Sequence, residues 1–456
     1  MNVLDDILKS TRARKIFDAI EGLPILDYHC HLEAKDIYEN KPFNDLVDIW
    51  LKHDHYKWRL MRLSGIHEDN ITGSASNEEK FNAYVCSIEN SLGNPTREWS
   101  LLELNTFFGI NEIPTQYNSL DILKIANKQI IEKQFSPQKI LNTLNVKYIA
   151  TTDDPTSELF YHKQLKNSNF AIDVAPTFRV DRCFNIRAGD FADYINTFTG
   201  HTLSFKEFLE VLKERASYFK ECGCLFSDIG IEMFPHNASE ASFKKAENAY
   251  NIALTGRKVN DTILNDYISY LYIFWFNLCI NNGFIVQLHL GVIRNSNSLA
   301  YDMLGPDSGF DIAGSGINIK ELKDLFNVSV QQNGEIPSII AYVLNPISYH
   351  ALIVLAGAFT KVSVGVPWWF NDHKRGLVEY FKCISTLSNL STIPGMTTDG
   401  RSYLAYVRHA YFRAILANYL AKYESEDFTR ITNIAKRIAY YNMAARLDIL
   451  EEGVCL

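Results

Sequence analysis

The sequence predicts an α/β fold: a (β/α)8 TIM-like barrel with a helical insertion after its first strand and helices at its C-terminal end. Three observations predict it. Short apolar, β-branched runs recur along the chain, eight in all; each ends in polar residues; and helical stretches separate one run from the next. Strands alternating with helices imply parallel pairing through right-handed crossovers, and a count of eight favours closure over an open doubly wound sheet.

In chain order the runs are Leu23 to Tyr28, Val146 to Thr151, Ala171 to Phe178, Gly223 to Ser227, Phe284 to Leu288, Ser338 to Leu344, Lys361 to Val366 and Thr392 to Thr397. The interval 33–145 is too long for one crossover helix and is helical in pattern. With no second strand set, it reads as an insertion on the barrel's active face and not as an independent α/β domain. Beyond Ser402, helical segments over Tyr403 to Tyr423 and Asp427 to Leu447 are expected to pack on the barrel's outside. The 456 residues, 47% of them hydrophobic, are thus read as a single catalytic domain spanning 1–456, although that length also admits two or three ordinary domains.

Composition removes several function classes. A net charge of -8 without clustered Lys and Arg argues against nucleic acid as a partner. The segment Met1 to Arg14 has no apolar core or small-residue cleavage site, so a cytoplasmic address is expected. The most apolar stretch, Tyr267 to Ile280, is shorter than the roughly 20 residues of a membrane span and reads as a buried helix. Eight cysteines make no CxxC pair; reduced core thiols fit that cytoplasmic address.

In a barrel the chemistry sits at the C-terminal ends of the strands. The first run ends in Asp27-Tyr-His29-Cys-His31; residues two apart on extended backbone face the same side, so both imidazoles can aim at one divalent cation. An isolated pair of this kind would read as hydrogen-bonded strand-end histidines. The eighth run changes that, because Asp399 follows it and adjoins the first strand around a closed barrel. Two His and one Asp with open positions make a catalytic metal site, whereas Asp399 as a mere helix cap would leave the His pair unexplained. The other strand ends carry Asp153, Asp154, Arg179, Asp181, Asp228, Arg294 and Trp368 to Asp372, and the fifth run ends Gln287-Leu-His289. Several arginines facing one cavity predict an anionic substrate. The insertion adds Asp54 to Arg59; His55 and Tyr56 are expected in the site, and Lys57 on a solvated helix start.

Taken together these blocks resemble the uronate isomerases (glucuronate isomerase family), a divergent branch of the amidohydrolase superfamily. The likeness runs nearly end to end, through Leu23 to His31, His53 to Arg59, Ile71 to Ser76, Gly93 to Pro95, Thr151 to Pro155, Pro176 to Arg179, Gln287 to His289 and Trp368 to Asp372. It implies that His29, His31 and Asp399 bind one divalent metal, usually zinc in such families, with His289 close by. It also implies that His55, Tyr56, Arg179, Asp228, Arg294, Trp368 and Arg401 surround the sugar. One departure is Gly400, where the family commonly has Ser.

The resemblance implies interconversion of D-glucuronate with D-fructuronate and of D-galacturonate with D-tagaturonate, a hexuronate being the small-molecule partner. That chemistry suits the residues: a cation beside O1 and O2 stabilises an enediolate, and a positioned base takes the C2 proton. Asp399 and Tyr56 are the acid/base candidates, with His289 beside them. The preferred hexuronate, the native metal, which of Asp399 and Tyr56 takes the proton, and whether the chain forms a homo-oligomer stay open. Two other readings fit parts of the pattern: a metal-dependent hydrolase, whose binuclear form wants a bridging lysine that is not apparent after the fourth run, and an inactive sugar-acid binding protein, which needs no complete ligand set.

Overall fold

Seven strand positions follow one another in chain order, each parallel to the next, in a computed structural model that describes residues 3–230 and 234–450. β1 (Ile25–Asp27) pairs with β2 (Val146–Ala150), and β2 with β3 (Asp173–Ala175). β4 (Thr177–Arg179) pairs with β5 (Phe226–Ile229), β5 with β6 (Ile285–Leu290), β6 with β9 (Ile339–Val343), and β9 with β10 (Val362–Val364). Only Pro176, which has no N–H to give, separates β3 from β4. Backbone bonds from Thr151, Asp153 and Arg179 bridge that gap, so the third predicted run is one extended segment shared by two sheets. The fold is mixed α/β with parallel sheets.

Two expectations are corrected, and one further pair of strands appears. The run Thr392 to Thr397 is not a strand: Leu390–Thr392 is a 3-10 turn, and Pro394 cannot donate to a ladder. The chain there still returns to β1, since Asp399 N–H donates to the His29 carbonyl and His31 N–H to that of Gly400. The fourth run lies further along than Gly223 to Ser227, at Phe226–Ile229. An antiparallel pair that the periodicity did not announce, β7 (Val292–Ile293) with β8 (Ile312–Ala313), follows β6.

Between β1 and β2 lie seven helices and a 3-10 turn, from Ala34–Glu39 to Pro137–Thr143. Their ends are written locally. Ser76 and Glu79 form a reciprocal capping box, and Pro95 opens a helix that Gly109 closes in the left-handed conformation. The buried helix Asp261–Asn282 covers Tyr267 to Ile280, and no helix among the described residues is long and apolar enough to cross a membrane. At the C-terminal end a 3-10 turn Tyr403–Val407 leads into helices Arg408–Leu420 and Phe428–Lys436, and Arg408–Leu420 packs against Thr11–Asp18.

Alternation along the strands sorts side chains into two cores. Leu26, Tyr28, Tyr148, Ala150, Phe226, Ile340 and Tyr342 form a cluster of their own, while Ile25, Ile149, Val286, Leu288, Ile339 and Ala341 join the larger core under the helices. On β6 the face opposite Val286 and Leu288 carries Gln287 and His289. The smaller cluster meets the site through Tyr342, whose ring stacks on His289 at 4.9 Å and leaves room only for a glycine at 365, where a Cβ would overlap it. Gly365→Ala is therefore expected to cost about 1–3 kcal/mol through forced displacement of Tyr342. An unchanged urea midpoint would show that the ring is not held there.

Candidate active site

Asp27 is fully buried at the end of β1 and accepts from the Thr397 hydroxyl at 2.6 Å, Thr398 N–H at 2.7 Å and the Thr398 hydroxyl at 2.5 Å. This tie delivers Asp399 to the His pair. Asp399 Oδ1 lies 3.0 Å from His31 Nε2 and 3.4 Å from His29 Nε2, on a backbone with φ +48°, a left-handed conformation that Asp tolerates better than most residues. Its other oxygen accepts from the Tyr56 hydroxyl at 2.6 Å. Asp399 caps no helix; Ser402 occupies the N-cap position of the turn that follows.

These groups have opposed proton affinities. Burial acts to raise the Asp399 carboxyl, but the adjoining His29 and His31 outweigh it and hold the group well below the usual carboxylate range. Burial, then the Asp399 charge, pushes the Tyr56 hydroxyl well above its ordinary value, so it keeps its proton. His31 is held low by burial and by Arg401, and His289 by burial and by His29. Neutral imidazole is the ligating form.

Among the described residues, two sets of side chains could hold a metal ion: His29, His31 and Asp399, and His29, Asp228 and His289, with the donor atoms of each set within 4.8 Å of one another. The Thr152 hydroxyl meets His31 Nδ1 at 2.8 Å, which orients its ring with Nε2 toward Asp399. His29 Nδ1, His289 Nδ1 and Asp228 Oδ1 are buried without a hydrogen-bond partner, the signature of polar atoms that await an ion, water or ligand.

A cavity of about 560 Å³ opens above these residues, lined in part by His29, His31, His55, Arg179, Arg294, Trp368, Asp399 and Arg401. Its arginines are not equivalent. Arg179 is held by Asp228 at 2.7 Å and Asp181 at 3.1 Å; Arg294 by Asp311 at 2.8 Å and the Gly230 carbonyl at 3.2 Å; half-exposed Arg182 by Asp190 at 2.9 Å. A Cβ at Gly230 would press on both the Arg179 and Arg294 guanidinium groups, so this glycine makes room for them. Arg401 has one ion pair among the described residues, Asp307 at 3.5 Å, and its Nε is buried and unpartnered. His55 is brought down to about 4 by burial and then by Arg401, so it is neutral at physiological pH.

The family model described as glucuronate isomerase matches residues 2–446. The chain belongs to the glucuronate isomerase family. A uronate isomerase of Caldicellulosiruptor saccharolyticus is 37% identical over 456 residues, with 96% of this chain and 97% of that one covered. One from Oceanobacillus iheyensis is 33% identical, covering 98% of each. Among solved structures, the uronate isomerase of Thermotoga maritima superposes with a TM-score of 0.92 at 31% identity over 97% of this chain and 98% of that one. This glucuronate isomerase family member is an isomerase.

Of the residues read from the sequence for the site, His29, His31, His55, Arg179, His289, Arg294, Trp368, Asp399 and Arg401 line the cavity. Tyr56 reaches Asp399, and Asp228 lies beneath Arg179. Other strand-end acids turn away: Asp153 meets Thr151, Asp154 meets Thr156, and Asp372 pairs with buried Arg408 at 2.6 Å. Asp307, which no sequence pattern marks, and Trp369, within the block Trp368 to Asp372, also line the cavity. Trp369 had a signal in its neighbour Trp368, and its backbone φ of +54°, strained for so bulky a residue, is visible only in three dimensions.

Lys57 is the clear correction. It is buried, pairing with Asp54 at 3.0 Å and Glu103 at 3.6 Å, and these charges outweigh burial to raise its affinity for the proton. Asp54 also caps the helix His55–Leu63 by accepting from Tyr56 and Lys57 N–H. Lys57 thus holds the start of the helix that presents His55 and Tyr56. Lys57→Met is expected to cost about 3–5 kcal/mol, because two buried carboxylates lose their cation. A denaturant midpoint equivalent to under about 0.5 kcal/mol, the scale of ordinary surface changes, would return Lys57 to the solvated surface.

Proposed function

We propose that this isomerase acts on hexuronates, interconverting D-glucuronate with D-fructuronate and D-galacturonate with D-tagaturonate in cytoplasmic hexuronate catabolism. The observation that carries this is the convergence of the Asp399 carboxylate and the two His nitrogens on the cavity that Arg401 also lines, with the Tyr56 hydroxyl bonded to Asp399 and Arg401 the arginine whose donors are least committed.

The conversion breaks the C2–H bond of the open-chain aldose. Its electron pair forms the C1–C2 double bond as O1 takes up charge, a proton passes from O2 to O1, and a proton returns to C1; no oxidant is involved. The obstacle is the weak acidity of that C–H. Asp399, ionised, is placed to accept a proton, and Tyr56, protonated, to donate one, with 2.6 Å between them for exchange. His29, His31 and Asp399 would hold one divalent cation, zinc by expectation, which when bound supplies Lewis-acid stabilisation of the developing oxyanion. His289 and Trp368 bound the reacting end, their rings 5.3 Å apart. Arg401 and neutral His55 grip the sugar carboxylate, while Arg179, Arg294 and Asp228 form a fixed polar wall. Binding energy from that carboxylate orients the open-chain form.

The scaffold we assign to this chemistry is a closed (β/α)8 barrel in one catalytic domain, with 33–145 as an insertion that supplies His55 and Tyr56. Support comes from the sequential parallel strands and the backbone bonds that join 399–400 to the end of β1.

Metal-loaded protein should convert glucuronate or galacturonate to the ketose, whereas glucose or galactose, which offer no carboxylate to Arg401 and His55, should be slower by about four orders of magnitude. Comparable turnover of hexose and hexuronate would remove the carboxylate roles of Arg401 and His55.

A further inference from the structure

Among the acids around the cavity, Asp307 is held differently. Asp181, Asp228 and Asp311 each engage an arginine at 3.1 Å or less and lie on or beside the strands. Asp307 sits on the loop between the helix Ser298–Leu304 and β8, its side chain 54% exposed, with the 3.5 Å pair to Arg401 as its one ion pair among the described residues. The rest of that loop is anchored on the helix that carries His55. Arg62 donates to the Ser308 carbonyl, and Arg59 to those of Gly309 and Asp311. Gly309, at φ +95°, lies so close to the His55 carbonyl that a Cβ would crowd it. The loop therefore holds a carboxylate beside Arg401, in the cavity that Arg294, His31 and His55 also line.

Two carboxylates cannot share the same guanidinium donors without repulsion, and a long, half-exposed pair is the one that yields. We propose that Asp307 is an internal anion that takes the place of the substrate's carboxylate on Arg401 in the free enzyme and is displaced when an acid sugar binds. Asp307 is then a specificity-determining residue: it keeps Arg401 oriented, and it lowers the site's affinity for anions too small to offer compensating contacts. This rests on the hexuronate reading for the identity of the ligand, but not for the displacement itself.

The test compares the parent with Asp307→Asn, since Asn accepts the φ of +55° at this position and removes only the charge. Binding of D-gluconate, which has the carboxylate but no aldehyde, is measured by calorimetry alongside KM for D-glucuronate. The dissociation constant for gluconate and the KM are expected to fall about two- to fivefold, as removal of an exposed competing charge allows. Binding of the uncharged hexitol D-glucitol should not change. Weaker gluconate binding would mean that Asp307 stays in the site as a partner for sugar hydroxyls, and unchanged binding would mean that it does not compete; either overturns the proposal. A parent that turns over no hexuronate while Asp307→Asn binds gluconate more tightly would sink the assigned reaction and leave the displacement standing.

Discussion

The carboxylate of Asp27 and the hydroxyls of Thr397 and Thr398 meet across 370 and 371 residues of chain, and the active site depends on that meeting. A fully buried carboxylate is costly unless its oxygens are satisfied, and here three donors satisfy them. The single Thr397 O–H is shared between Asp27 and the His29 carbonyl, 2.7 Å away, so the hydroxyl ties the strand end that carries the histidines to the segment that carries Asp399. Without it, Pro394 and Gly395 would leave this segment with little to hold its register, because it joins no regular ladder. The Tyr28 hydroxyl adds a bond to the Gly395 carbonyl at 2.5 Å from inside the inner core.

Charge around the cavity is distributed so that most of it is already spent. Arg179, Arg294 and Arg408 are neutralised by carboxylates that are themselves buried or nearly so, which makes them rigid walls rather than mobile anchors. The Arg408 guanidinium, clamped by Asp372, packs 4.4 Å from the Trp99 ring and 5.8 Å from that of Tyr56, which fixes Tyr56 from behind. His31, His55 and His289 are neutral. The groups left able to respond to a ligand are few: Arg401 with its displaceable Asp307, the Tyr56–Asp399 pair, and the unpartnered atoms of His29, His289 and Asp228.

Much of this was legible in the sequence, for physical reasons. The strand runs are short, β-branched and bounded by polar residues, so all but one appear as strands, and the two-residue repeat placed His29 and His31 together. Asp399 could be assigned because its position after the last run puts it next to the first. The eighth run was misread because apolar composition hid a proline and a glycine that forbid a ladder. Lys57 was misread because a lysine at a helix start is normally solvated; its second counter-ion, Glu103, comes from a different helix and leaves no local trace. Asp307 follows a Gly-Pro turn and carries no pattern of its own, so only the folding of its loop onto the His55 helix reveals it.

Asp399 bears the central claim, since it is asked both to hold a cation and to exchange a proton with Tyr56. Replacing it by Asn keeps its shape, its tolerance of left-handed backbone and one ligand oxygen, and removes the charge and the basicity. The direct measurement is turnover of D-glucuronate by Asp399→Asn at saturating metal, with folding checked by circular dichroism and bound metal by elemental analysis. A folded protein that still takes up about one cation per chain but turns over 10²- to 10⁴-fold more slowly, on the order expected for a lost general base, is the result this account requires. Activity within a few-fold of the parent would contradict it.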